Sequence, residues 1–362
     1  VAFARRPLPT WTFETEFGVI ERTITLRREL PGVAPALLVR WRNRSDHPVR
    51  LEVRPLLGWC NVDHLVTADD SFDDTIHASG ASWGFRPTDE LPPLWLSVDG
   101  VSAFRSEPVW YHDFLYAADR LRGYDHVGDR RNPDVLELDL PAGSEATASF
   151  ALEEPLTDAA ETFEHLKIQA DAEWHETLQQ EHVLAAQLSV GARDFFYRSV
   201  DGRLGVIAGF PWFGEWGRDV FLALPGLTLA RGESAQCAEV MVGCLPFLRN
   251  GLLPNIYSPD VSSSDYGSCD AALWFALCVM RFADAGHDPE LVQHKLRPAL
   301  RSIVDAYERG TDLGLKVSQA GLLQAGSKDL NATWMDARTS DGPVTPREGL
   351  PVEIQAVWYA LL

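Results

Sequence analysis

Residues 19–26, Val-Ile-Glu-Arg-Thr-Ile-Thr-Leu, alternate apolar and polar side chains with period two. In an extended chain that alternation puts one set of side chains on each face, so the segment predicts a strand. Further short runs at 36–41, 49–53, 94–98, 109–115, 135–140 and 146–152 are strand candidates as well. The turn-forming stretch Asn43-Arg44-Ser45-Asp46-His47-Pro48 separates two of them. Many short strands divided by turn signals predict an antiparallel β-sandwich over residues 1–155.

The period changes at Asp158. Asp158-Ala159-Ala160-Glu161 fits a capping box. Phe163, Leu166, Ala170, Trp174 and Leu178 then recur every three or four residues, as one apolar helical face does. Residues 156–182 are expected to form a helical linker. From 183 onward helical patterning dominates, with candidates at 184–198, 218–229, 234–248, 269–285 and 289–309, and one beginning near Val352. Ser234 is the expected N-cap of the third, and Gly251 follows its end. Asp288-Pro289 reads as a cap followed by Pro at the first helical position. The chain lacks an initiator Met and stops at Leu362 within an apolar helical pattern, so a fragment cut at both ends is expected.

Composition narrows the function class. With 46% hydrophobic and 23% charged residues the chain is globular in character. Asp plus Glu number 52 against 32 for Lys plus Arg, a formal net charge of −20. Nucleic acid and anionic membranes are poor partners for such a surface, whereas a neutral polar ligand is compatible with it. The 12 Trp offer flat faces that suit sugar rings as well as cores. The five cysteines, Cys60, Cys237, Cys244, Cys269 and Cys278, contain no C-x-x-C and are expected to be reduced thiols in a cytoplasmic protein. No run approaches a membrane span. The acids at 69–74 lack the glycine and terminal Glu of a calcium loop, so a solvated loop is expected and no metal site. Asn43-Arg44-Ser45 has the form of a glycosylation acceptor, but nothing indicates secretion.

Four loop segments concentrate side chains that can carry chemistry. The first, residues 209–219, holds Trp212, Trp216, Arg218 and Asp219. A fork donor beside a carboxylate can serve hydroxyls that both donate and accept. The same pair could instead be an ion-pair staple at a helix start, where the dipole favours Asp219. The second runs from Gly251-Leu252-Leu253-Pro254-Asn255 to Asp270, which turn chemistry and an N-terminal acid also explain. The third, Asn331-Ala332-Thr333-Trp334-Met335-Asp336-Ala337-Arg338, places a carboxyl two residues after Trp334. Apolar shielding of that kind keeps a proton on a carboxyl for general-acid work; a surface Asp beside Arg338 is the alternative. The fourth, residues 345–353, sets Arg347 and Glu353 around the start of the last helix, where a plain ion pair is equally compatible.

In order and spacing these segments resemble the glucosidase part of glycogen debranching enzymes, the amylo-α-1,6-glucosidases. The resemblance rests on Pro211-Trp212-Phe213, Trp216-Gly217-Arg218-Asp219, Pro225-Gly226-Leu227, Gly251 to Asn255, Tyr266 to Phe275, Thr333 to Ala337 and Pro346 to Glu353. Together they are far more specific than any one alone. The β-rich half resembles, more loosely, the domain that precedes the barrel in bacterial and archaeal members. Glu215, Val220 and Gly267-Ser268-Cys269 depart from the usual pattern, and these departures are expected to retune the rim of the pocket.

The resemblance implies a multidomain β + α protein: an N-terminal antiparallel β-sandwich, then over 183–362 the first half of a glucoamylase-like (α/α)6 toroid. It implies inverting hydrolysis of single α-1,6-linked glucosyl residues of glycogen, limit dextrin or a short branched oligosaccharide, with no cofactor and no metal. Asp336 is implied as the general acid, and the general base would lie beyond Leu362. Arg218 and Asp219 would hold glucose hydroxyls, and Trp212, Trp216 and Trp334 would wall the pocket. Asn255, Asp270, Arg347 and Glu353 would line its rim or floor. Two other readings fit the residues: another toroid glycosidase, glucoamylase- or trehalase-like, and a glucan-binding fragment without catalysis.

Overall fold

A computed structural model of the chain describes residues 1–28, 34–60, 64–69, 72–73, 75–80, 82–88, 91–99, 102–180, 182–210, 212–259 and 261–362. Pro211 and residues 70, 71 and 74 of the acidic run lie outside the described residues. The chain divides into two compact units, Val1–Glu181 and His182–Leu362.

The first unit contains strands β1 (Ala2–Ala4), β2 (Thr10–Thr15), β3 (Gly18–Arg27), β4 (Ala36–Asn43), β5 (Val49–Val53), β6 (Ile76–Ser79), β7 (Ser82–Phe85), β8 (Leu94–Asp99), β9 (Ser102–Leu115), β10 (Val127–Leu140) and β11 (Glu145–Leu152). Eight form one antiparallel sheet in the order β1-β2-β3-β4-β11-β8-β7-β6, and three form a second, β5-β10-β9. The register explains the alternation. Ile24, Val39, Ala148 and Val98 stand opposite one another across β3, β4, β11 and β8, and this row joins Leu136, Leu138 and Leu140 of β10 in one core. One residue along, Leu38, Ser149, Ser97 and Ser82 form the opposite row. The two sheets thus share a core from facing sides, as a sandwich requires.

A short helix, α1 (Ala117–Arg122), interrupts the strands and ends at Gly123, whose φ of 78° only glycine adopts readily. The long helix α2 (Ala159–Gln180) belongs to this unit and packs on the outer row. Phe163 is fully buried with Leu38, Ala36 and Ala151. Arg40 lies over the Phe163 ring at 4.1 Å and donates to Glu164 and to the carbonyl of Ala160. The free amide of Ala160 is taken by Asp99 from β8 at 2.5 Å, so a side chain of the sheet supplies this cap.

The second unit is mostly helical: α3 (Val183–Ala192), α4 (Gly217–Leu227), α5 (Ser234–Cys244), α6 (Ala271–Asp284), α7 (Pro289–Leu291), α8 (Arg297–Arg309) and α9 (Val352–Leu361). The helix expected over 184–198 stops at Ala192. A hairpin of Phe196–Arg198 with Leu204–Val206 replaces its end. Asp201-Gly202, with Gly202 at φ 84°, makes the turn, and Phe196 and Val206 are buried in the core. Glu233, and not Ser234, occupies the N-cap position of α5, whereas Asp288 caps α7 by accepting from Leu291 N at 3.0 Å. A π turn at Val292–Leu296 joins α7 to α8, just ahead of Pro298, whose missing N–H cannot serve the α ladder. One core runs through α4, α5, α6 and α8, with Phe221, Phe275, Phe282 and Tyr307 fully buried. Four of the five cysteines are buried and all five are free thiols. Among the described residues no helix is long and apolar enough to cross a membrane.

Candidate active site

Trp216 is extended, and α4 begins at the next residue. Gly217 donates its N–H to the carbonyl of Asn255 at 2.9 Å. A Cβ here would fall 2.1 Å from the Pro254 carbonyl oxygen, so only glycine lets the helix start press against the Gly251–Asn255 turn. Arg218 and Asp219 then stand in the first turn of α4.

Arg218 joins three segments that are distant in sequence. Its Nε donates to Asp270 Oδ2 at 2.7 Å and its Nη2 to Asp270 Oδ1 at 3.1 Å, a bidentate fork. Nη2 also donates to the Thr333 carbonyl at 2.8 Å, and Nη1 to Asp336 Oδ2 at 3.4 Å. Four of its five N–H groups are thereby engaged. Burial pulls the guanidinium pKa down, but the hydrogen bonds and charge of Asp270 outweigh it and leave it above the ordinary value.

Asp270 is held from below as well. Ser268 Oγ donates to its Oδ1 at 2.7 Å and accepts from the Ala271 amide at 3.1 Å, capping α6. Cys269 donates its N–H to the Ala332 carbonyl at 2.7 Å, which docks the third segment on the second. Asn331 Nδ2 reaches the Ala337 carbonyl at 2.8 Å and closes the loop that presents Asp336. Arg347 completes the arrangement. It donates to Thr333 Oγ1 at 3.3 Å and forks onto Glu353, and it lies over the Trp334 ring at 5.6 Å. Burial would raise the Glu353 carboxyl pKa; the hydrogen bond from Arg347 and the residue's own amide outweigh that and hold it below the usual range.

Asp219 points toward solvent as a residue, yet the protein around its carboxyl removes enough water to push its pKa above the ordinary value. The Arg218 charge opposes that shift, and Asp336 and Asp270 reinforce it. On its other side Asp219 borders a mainly apolar cavity of about 350 Å³ walled by Phe195, Val206, Ile207, Leu222 and Leu227.

Of the side chains singled out from sequence, Arg218, Asp270, Asp336, Arg347, Glu353 and Trp334 thus form one connected cluster. Asn255 meets it through its carbonyl on Gly217, and Asp219 through its charge. Trp334 is 55% exposed beside it. Trp216 is half-buried at the start of α4, edge-on to Phe213, and Trp212 is half-buried in the loop closed by the Gly209–Phe213 bridge. Of the departures expected at the rim, Glu215, Val220, Ser268 and Cys269 are buried inside the protein and Gly267 is half-buried. Thr333, Asn331 and Arg203 join the cluster or its support without a role expected from the sequence. The first two sit in the third segment beside the residues that drew attention, while Arg203 carries no local signal.

Residues 190–362 match a family model described as amylo-alpha-1,6-glucosidase, and residues 1–147 match one described as glycogen debranching enzyme N terminal. The glycogen debranching enzyme of Saccharomyces cerevisiae is 24% identical over 214 residues, 43% of this chain. That match spans 14% of the yeast protein's length.

Proposed function

We propose, from the premise that the chain belongs to the glycogen debranching enzyme family, that it is part of a glycoside hydrolase which removes single α-1,6-linked glucosyl residues from glycogen or limit dextrin with inversion. The helices of the second unit are, in this reading, the first half of an (α/α)6 toroid. The observation that carries it is the convergence on Arg218 of the loops bearing Asp270 and Asp336, two carboxyl groups that no local pattern brings together.

Asp336 is the proton donor. Its side chain is 26% exposed, against 3% for Asp270, so of the two carboxyl groups held by Arg218 it is the one open to a ligand. Its proton passes to the glycosidic oxygen as that bond breaks and positive charge builds on the anomeric carbon. A water enters from the opposite face, and a second carboxylate takes its proton. In inverting enzymes the two carboxyl groups stand about 6.5–9.5 Å apart to admit that water. Asp219 accepts from glucose hydroxyls. Arg218 has one N–H left for a hydroxyl, and its main work is to set Asp270, Thr333 and Asp336 in place. Trp334, Trp216 and Trp212 form the wall, Asn255, Arg347 and Glu353 the rim, and Asp270 the floor.

In the whole enzyme, Asp336→Asn is expected to cut glucose release by about 10²–10⁴-fold while glucan binding persists. Wild-type turnover in this variant would overturn the assignment. NMR of the first product formed from isomaltose or limit dextrin is expected to show the β-anomer. A preference for trehalose or maltose over α-1,6 substrates would move the reading to another toroid glycosidase.

A further inference from the structure

The loop that delivers Arg218 rests on a buried charged group that the scheme above does not use. Glu215, three residues before Arg218, is 3% exposed. Its Oε1 accepts from Arg203 Nη1 at 3.0 Å, and its Oε2 from Arg203 Nη2 at 2.5 Å and from the Tyr197 hydroxyl at 2.7 Å. The Arg203 guanidinium lies over the rings of Phe247 and Tyr257, at 5.1 and 5.3 Å. The Glu215 backbone is engaged as well, its carbonyl accepting from Tyr257 N at 3.0 Å. The hairpin that carries Tyr197 is shaped to admit this contact. A Cβ at Gly205 would fall 2.5 Å from the Tyr197 ring and 3.0 Å from Glu215 Oε1.

We propose that Arg203, Glu215 and Tyr197 form a positioning clamp that sets where Arg218 stands, and through it the Asp270 and Asp336 carboxyl groups. The role in catalysis rests on the glycosidase reading of the Arg218 cluster; the clamp on the loop does not. A carboxylate gripped by a planar fork and a phenol, away from water, is fixed in both place and orientation. Only Trp216 and Gly217 separate it from Arg218, and Gly217 is wedged against Pro254. A shift of Glu215 therefore passes into α4 instead of being absorbed by slack chain. Arg218 contacts Asp270, Thr333 and Asp336 at once, so its displacement alters all three distances together.

The test uses the whole enzyme with Glu215→Asp, whose arm is one methylene shorter, and Arg203→Lys, which keeps the charge and loses the fork. Hydrogen–deuterium exchange in peptides covering 212–224 is expected to rise at least about tenfold in both variants, with 271–284 unchanged. Well below each variant's Tm, kcat on an α-1,6-linked glucoside is expected to fall about 10²-fold with KM little altered. Unchanged exchange over 212–224 overturns the clamp whatever the activity. A lowered Tm with full kcat overturns its positioning role. If the wild-type enzyme releases no glucose while exchange rises as stated, the glycosidase reading falls and the clamp on the Arg218 loop stands. Should Glu215→Asp not fold, Arg203→Lys carries the same comparison.

Discussion

At the scale of single residues, the cluster separates groups that support from groups that are available. Asp270 and Arg218 satisfy each other in a dry setting, where removing one partner strands the other's charge. Asp219 differs: protein around its carboxyl raises its pKa, and its ion is therefore a burden on the folded state. The linkage sign follows. Below the ordinary carboxyl value near about 3.9 the group is neutral folded or unfolded and contributes nothing. As pH rises through that value and then the higher folded pKa, the penalty grows to its full size. Asp219→Asn is therefore expected to raise Tm at neutral pH, with the gain vanishing as pH falls toward 3, as thermal melts across pH would register. A gain that persisted unchanged in acid would contradict this. The same variant is expected to weaken substrate handling, since sites commonly hold destabilising groups for function.

At the scale of elements, helix starts do the positioning. The close approach of α4 to the Pro254 carbonyl puts Arg218 beside Asp270, at the N-cap position of α6, and Ser268 fixes that cap. Gly217→Ala places a methyl carbon where the 2.1 Å gap has no room, and its cost is expected in the range of about 1–3 kcal/mol typical of overpacking. Urea unfolding would read it, together with loss of turnover in the whole enzyme. An Ala variant as stable and active as wild type would show that α4 can start elsewhere. Gly251 makes the matching contact on α8: it has φ 78°, and a Cβ would fall 2.5 Å from Ala306 Cβ.

At the scale of the whole molecule, among the described residues the buried cluster of the second unit shares no residue with the two of the first. Units with separate cores unfold as separate cooperative blocks unless their interface is large and apolar. Leu38→Ala removes a fully buried side chain from beneath α2 and is expected to cost about 2–5 kcal/mol in the first unit. Calorimetry is expected to show one transition moving down and another staying in place. A single transition moving as a whole would mean that the units melt together.

Period-two alternation marked β3, and short apolar runs marked β4 and β11, whose faces are both largely buried, one against β10 and the other beneath α2. The ordered motifs likewise marked Arg218, Asp270 and Asp336 as belonging together. The marginal strands were harder. Thr10–Thr15 alternates Trp11 and Phe13 with polar neighbours, and its signal was passed over, while the four residues of Ser82–Phe85 are too few to show a period. Residues 193–198 continue the helical pattern beyond α3 because Phe195, Phe196 and Tyr197 are apolar in any conformation. Only burial of Phe196 against Val206, across the Asp201-Gly202 turn, settles their end as a strand. Tertiary structure alone decided that Glu215 lies beneath the site and not at its rim. A carboxylate takes its role from the cation it meets, and Arg203 reaches it from the neighbouring hairpin, a proximity no local pattern encodes.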